Sequence, residues 1–352
     1  MNEKKFAFET GKISIAFCLQ YGLGDSLVAK KVFDALAAIE PDCATDIFYK
    51  EKRHRIFAEA FYGDSKNLNR ILSYEKFYER LLAEYDLAVA VIGTHCVVFE
   101  GANSARLKSA TPKLWQTALL IEEYNKANVF GIEPLGTSVS LRNVAISRII
   151  HKNFFWFLSC GGVLPFHDDR VDIKLSPANK RDFENLRLGQ YITIYSNIGR
   201  NEIRPKVKTW PMKYLVEYVA LVKKNFPQLE VVQVGGANEA EISNVDKKFL
   251  SGDLELTKYI LANSLLHVGC EGGLIHLATA LGTKCLVFFG SSDWHYFSYD
   301  RNINLASTVC EPCMYILPRF DVCLRGEKNP PCMLDITPQE AFDVTKEYLH
   351  SR

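Results

Sequence analysis

What this sequence lacks narrows the field first. Among its 352 residues no uninterrupted apolar stretch reaches the ~20 residues of a membrane span. The nearest, VAISRIIHKNFFWFLSCGGVLPF, is broken by Arg148, His151, Lys152 and Asn153, so it predicts a buried or interfacial helix. An excess of one charge is missing too: 42 Lys and Arg against 41 Asp and Glu leave a formal net charge of +1. No global field therefore points to nucleic acid or to an anionic membrane surface. The opening MNEKKFAFETGK is too polar for the apolar region of a secretory leader, and cytoplasm is the expected compartment. No internal repeat or low-complexity segment is visible. Nor is there a GxGxxG fingerprint: the first such run reads Gly22-Leu23-Gly24-Asp25-Ser26-Leu27, with leucine in the last glycine's place.

What remains is an alternation of strand and helix. ISIAFCL, ATDIFYK and LAVAVI read as buried strands. Between the first two, SLVAKKVFDALAAI places Leu27, Val28, Val32, Leu36 and Ile39 at a helical period. Helical stretches are expected around 53–62 and 74–85, and most of 111–159 is helical in character. A second series begins near residue 190. It runs YITIYSN, PMKYLVEYVALVKKNF, LEVVQVGG, LTKYILANS, LLHVGC, GGLIHLATALG and CLVFFG. Continuous apolar strands between helices predict parallel sheets covered on both faces. The expected fold class is α/β, with two Rossmann-like, doubly wound domains facing across a cleft. Their bounds are 1–172 and 189–352, joined by a polar linker at 173–188. A terminal helix is expected at 337–350, with Thr337 as N-cap, Pro338 in first position and Glu340 in the capping-box position.

Ligands of open α/β sheets sit beyond the carboxyl ends of the strands. The loops at 20–26, 196–210, 235–239, 270–273 and 290–294 are therefore the candidates. In the fourth, Gly272 and Gly273 open a helix, where bare N–H groups and the helix dipole favour phosphate. Glu271 precedes them and His276 lies one turn inside; His276 could equally be a structural histidine. In the second loop, Arg200, Arg204, Lys206 and Lys208 could clamp a diphosphate or merely form an exposed basic loop. In the first, Gly22 and Gly24 allow a sharp turn. Asp25 is either a helix cap or a general base.

Four of the ten cysteines, Cys310, Cys313, Cys323 and Cys332, are spaced C-x2-C-x9-C-x8-C. Four thiols in one short loop suit a tetrathiolate site for zinc or iron; reduced, unliganded cysteines in a packed loop are the alternative. The other six are scattered in apolar surroundings, as small core residues are.

Three motifs, GLGDSLVAKKVFDAL, KTWP and GCEGGLIHLATALGTKCLVFFG, occur in the order in which family-9 glycosyltransferases carry them. The chain thus resembles the heptosyltransferases, which include enzymes of lipopolysaccharide core synthesis and protein heptosyltransferases. The region 93–182 matches little. The resemblance implies GT-B architecture and inverting transfer of a sugar from a nucleotide donor, typically ADP-heptose, without a catalytic metal. It assigns Asp25 as catalytic base and Lys208 as the lysine neutralising the donor diphosphate. It places Ser196 and Asn197 near that phosphate. Gly22, Gly24 and Gly235, in loops that follow strands, are further candidate substrate-binding positions by their place in the sequence. Gly272, Gly273 and His276 match its phosphate-facing helix start. Glu271 departs from the family's usual aspartate, which leaves the donor sugar open. Some family members carry an iron-binding cysteine finger before the terminal helix, implying a structural iron or zinc here. The partners so implied are a nucleotide-sugar donor and a glycan or protein acceptor. A peripheral membrane contact through NFFWFLSCGGVLPF and an oligomer are further expectations. The rival readings are a non-transferring nucleotide-sugar enzyme, such as an epimerase or hydrolase, and an inactive partner protein that uses its cysteine finger.

Overall fold

A computed structural model describes residues 11–19, 21–76, 84–130, 139–199, 207–316 and 322–352. The chain divides into two compact units, Met1–Asn143 with Lys152–Lys174, and Val144–His151 with Leu175–Arg352. In sequence, residues 144–151 of the second unit thus interrupt the chain of the first.

The first unit holds β1 (Ser14–Leu19), β2 (Ala44–Tyr49), β3 (Leu68–Ser73), β4 (Leu87–Ile92) and β5 (Cys96–Ala102), in the order β3-β2-β1-β4-β5. All pairs are parallel except β4 with β5. The central strand β1 is buried along its whole length, as the unbroken apolar run ISIAFCL requires. After it the helix Leu23–Ile39 buries Leu27, Val28, Val32, Leu36 and Ile39 against the sheet. Phe17 of β1 meets Phe33 edge-on, and the Tyr62 hydroxyl donates to the Ser26 carbonyl at 2.7 Å. That contact pins the first turn of the helix in place.

The second unit carries β6 (Tyr191–Ile194), β7 (Glu230–Val234), β8 (Lys247–Phe249), β9 (His267–Cys270), β10 (Cys285–Phe289) and β11 (Ile303–Ala306). Their order is β11-β10-β9-β6-β7-β8, and every pair is parallel. This is the Rossmann strand order. In both units the order reverses beside the first strand, between β1 and β4 and between β6 and β9. Crevices open at such reversals because the helices leaving the two strands cross to opposite faces of the sheet.

Trp210 is fully buried in the second core, and its indole N–H donates to the Ile336 carbonyl at 2.8 Å. The helix Met212–Asn225 follows, with Pro211 at its N-cap. It packs on the terminal helix Pro338–His350, where Tyr218 and Thr345 share a 2.8 Å hydrogen bond. Thr337 caps that terminal helix by accepting from the Glu340 N–H at 3.2 Å.

Three segments add detail. The polar stretch 173–188 contains a short helix, Lys180–Asn185, whose Phe183 stacks on Tyr259. The apolar stretch near 150 is divided: the helix Val139–Ile150 ends, His151 takes a left-handed φ of 53°, and a short helix Phe154–Leu158 follows. Phe154, Phe155, Phe157 and Leu158 are all buried, so this run is core. No described helix is long and apolar enough to cross a membrane. Most of the helical stretch expected at 74–85 lies outside the described residues; a 3-10 turn spans Tyr74–Lys76.

Candidate functional site

Asp25, Ser196, Asn197, Glu271, Gly272 and Gly273 follow the strands that flank the order reversals of the two units. In the first unit, Asp25 stands in the opening turn of the helix after β1. Its Oδ2 accepts from the Gly22 N–H at 3.2 Å, reaching back across the turn. On the other side lies Gly93, just past β4, with a left-handed φ of 54°. A Cβ on Gly93 would come to 3.4 Å from Asp25 Oδ1, and one on Gly22 to 3.4 Å from Oδ2. Glycine on both flanks thus keeps a Cβ from standing beside either oxygen of the half-buried carboxylate. Gly24 is buried inside the same turn. The cap is real, and a cap of this kind still exposes a carboxylate at the crevice position.

In the second unit, the loop after β6 is held from the loop after β7. The Ser196 hydroxyl donates to Glu239 Oε1 at 2.9 Å, and the Asn197 N–H donates to the same oxygen. Asn197 has a left-handed φ of 56°, which asparagine tolerates better than most residues. Gly235 is glycine for a local reason: a Cβ there would sit 2.9 Å from Glu239 Cγ. Arg200, Arg204 and Lys206 lie outside the described residues.

Lys208 is placed by its neighbours. The buried Trp210 anchors the segment, and its backbone N–H donates to Cys270 Sγ at 3.2 Å. Lys208 Nζ then donates to Glu271 Oε2 at 3.1 Å, joining two motifs far apart in sequence. Glu271 directly follows β9, and Gly272 caps the helix Gly273–Ala280 that comes next. Burial pushes the Glu271 carboxyl up, but Lys208, His276 and a hydrogen bond from Ser292 outweigh it and hold it below the ordinary range. His276 Nε2 stands 3.9 Å from Glu271 Oε1, while its Nδ1 shares a 2.7 Å hydrogen bond with the Tyr299 hydroxyl. Burial, opposed by Glu271, lowers this imidazole to about 4, so it is neutral near pH 7.

Tyr195 shapes the turn. Its hydroxyl donates to the Cys270 carbonyl, and its ring fills the space that a side chain at position 269 would need. Gly272 is less tightly constrained: a Cβ there would lie 3.0 Å from the Tyr195 hydroxyl, a close contact. The result is an ammonium, a carboxylate and a bare helix start at one strand reversal. An anion with two charged groups suits that combination: the ammonium has three donors, and the helix start offers further N–H groups.

Glu239, Tyr195, Ser292 and Tyr299 were not singled out in the sequence. Glu239 and Ser292 stood inside loops flagged by position, but their partners are distant in the chain. Nothing local marked the two tyrosines.

The four late thiols lie within electrostatic reach of one another. Burial and then Cys310, Cys313 and Cys323 push the Cys332 thiol up to about 12. Arg325 Nη1 approaches Cys310 Sγ at 3.8 Å. Among the described residues, no group of three or more His, Cys, Asp or Glu side chains is arranged to hold a metal ion.

No family profile and no curated protein sequence matches the chain. Solved structures do. The ADP-heptose LPS heptosyltransferase II of E. coli superposes with a TM-score of 0.57 at 15% identity, over 96% of this chain and 99% of that one. A glycosyl transferase family 9 protein of Veillonella parvula gives 0.57 at 12% identity, over 99% and 100%. The chain has the family-9 glycosyltransferase fold. TibC of enterotoxigenic E. coli, an iron-containing dodecameric heptosyltransferase solved with ADP-D-β-D-heptose, gives 0.62 at 14% identity, over 97% of this chain and 77% of that one. Chains this divergent share architecture, and function is argued from the site.

Proposed function

We propose that the protein is an inverting glycosyltransferase that moves a heptose, or a related sugar, from an ADP-sugar to a hydroxyl of a glycan of the lipopolysaccharide type or of a protein. The observation that carries this reading is the Lys208–Glu271 pair beside the Gly272–Gly273 helix start, on a fold shared with heptosyltransferases. In the proposed reaction the second unit binds the donor. Lys208 and the helix N–H groups neutralise the diphosphate, and with it the charge that grows on the leaving group. The acceptor oxygen attacks the anomeric carbon, the bond from that carbon to the phosphate oxygen breaks, and ADP departs. Asp25 of the first unit takes the acceptor's proton. Glu271 presents a fixed carboxylate suited to sugar hydroxyls.

Titration calorimetry with ADP, GDP, UDP and their sugars tests the donor assignment. ADP and ADP-heptose are expected to bind with micromolar affinity, and the others far more weakly. Selective binding of another nucleotide would keep a nucleotide-sugar enzyme and remove heptose from the proposal.

For Cys310, Cys313, Cys323 and Cys332 we propose a structural iron or zinc site. The spacing of four soft donors in one short loop supports it, while among the described residues they do not close into a ligand set. Such an ion would cross-link the loop. About one equivalent of iron or zinc per chain is expected by elemental analysis after anaerobic purification. A metal-free protein of unchanged thermal stability would leave four reduced thiols.

A further inference from the structure

The cysteine loop does more than precede the terminal helix; it packs against the segment that carries Ser292, a hydrogen-bond donor to Glu271. The segment after β10 runs Gly290-Ser291-Ser292-Asp293, and the last three residues are each 1% exposed. The N–H groups of Cys313 and Met314 both donate to the Ser291 carbonyl, at 3.1 and 2.9 Å. From the other side, Cys332 and Met333 press on Gly290, where a Cβ would lie 3.1 Å from Cys332 Sγ and collide with Met333. Residues 290–292 are therefore gripped between two parts of the cysteine segment.

Held in this way, the Ser292 hydroxyl points at Glu271 Oε2, 2.9 Å away. Met314 Sδ lies 3.3 Å from the same hydroxyl. A hydroxyl has one proton, and a carboxylate is a far better acceptor than a thioether. The proton goes to Glu271. Oε2 thus receives both Ser292 and Lys208, which fixes the carboxylate and, through it, the ammonium.

We infer that Ser292 is a positioning residue for donor binding, and that the cysteine loop holds it in place. This rests on the donor reading of Lys208 given above. The ligand it concerns is a nucleoside diphosphate or its sugar. Ser292 does not contact that ligand in this scheme; it acts through Glu271 and Lys208.

The test is a double-mutant cycle on the full chain, read as the Kd for ADP by calorimetry. Ser292→Ala alone is expected to weaken ADP binding about tenfold, the scale of one hydrogen bond to a charged group. In a Glu271→Ala background the same change is expected to cost less than about twofold, because the acceptor that Ser292 positions is gone. Met314→Ala, which removes the thioether beside the Ser292 hydroxyl and keeps the backbone bond to Ser291, should follow the same pattern with a smaller effect. Thermal melts report whether each variant is folded. If Ser292→Ala does not fold, Ser292→Cys removes the strong donor at nearly the same volume. Equal losses in both backgrounds would show a merely structural serine, and no loss in the wild-type background would remove the role altogether. Failure of the donor reading looks different: the wild type does not bind ADP, or Lys208→Ala binds it unchanged, and the inference then falls with that reading.

Discussion

Asp25→Asn is expected to cut sugar transfer about 10²–10⁴-fold, the usual share of a general base, while ADP binding stays within about twofold. Asparagine is the informative choice. Its side-chain oxygen still accepts from the Gly22 N–H, so the reach-back contact of the helix start survives. What it loses is the ability to take a proton. Asp25→Ala loses both, and should add a stability loss of about 1 kcal/mol to the same kinetic defect. The measurement is ADP release from ADP-heptose with a lipopolysaccharide-core glycan as acceptor, paired with calorimetry for ADP. If Asp25→Asn turns over like the wild type and only Asp25→Ala is impaired, the residue is a cap and another base must be found.

Lys208→Ala carries the second large effect, and it has two parts. Binding of ADP should weaken about 10–100-fold, as expected when a charged hydrogen-bond donor to phosphate is removed. Stability should fall as well, because Glu271 is left buried without its cation. The pH dependence separates the two. In the wild type the Glu271 carboxyl lies below its ordinary value, so its contribution is present above the carboxylate range and lost as pH falls through the lowered value. Without Lys208, burial is opposed only by His276 and the Ser292 hydroxyl, and the carboxyl moves up. The variant's stability deficit is then greatest near neutral pH and shrinks on acidification. His276, lowered by burial, makes both proteins acid-sensitive, and comparing them leaves Glu271 as the main difference. Thermal melts between pH 4 and 8 provide the check. A deficit independent of pH would mean that Lys208 contributes packing and not charge.

How far the sequence revealed all this depends on how local each signal is. The central strands were legible because they are buried on both faces and therefore read as continuous apolar runs, such as LAVAVI. The edge strands β3, β5, β8 and β11 were not. LNRILS and KKF are partly exposed, and half-solvated edges carry no apolar run. Gly272 and Gly273 were legible as a helix start because glycine at a strand-to-helix junction is a local signature. The Lys208–Glu271 pair was not, since it joins residues 63 positions apart through the burial of Trp210. Asp25 shows the limit most clearly. Cap and base were alternatives on paper, yet the helix start can hold the carboxylate at the crevice and use it to accept an N–H at once. The cysteine spacing pointed to four thiols acting together, but not to the loop's contacts with Ser291 and Ser292, made by the Cys313 and Met314 N–H groups and the Met314 thioether.

The helix Val139–Ile150 is shared between the units in a way that bears on modularity. Asn143 donates to the His95 carbonyl within the first unit, at 2.8 Å. Five residues later, Arg148 pairs with the buried Asp293 and with Glu311 within the second. The boundary is therefore crossed three times along the chain, and the donor-side unit is not one contiguous stretch of sequence. An exchange of halves between relatives by a single crossover near residue 174 would bring in Asp293 without its matching guanidinium. It is the two-segment exchange, carrying residues 144–151 along with the carboxyl-terminal half, that transfers a complete inheritable module.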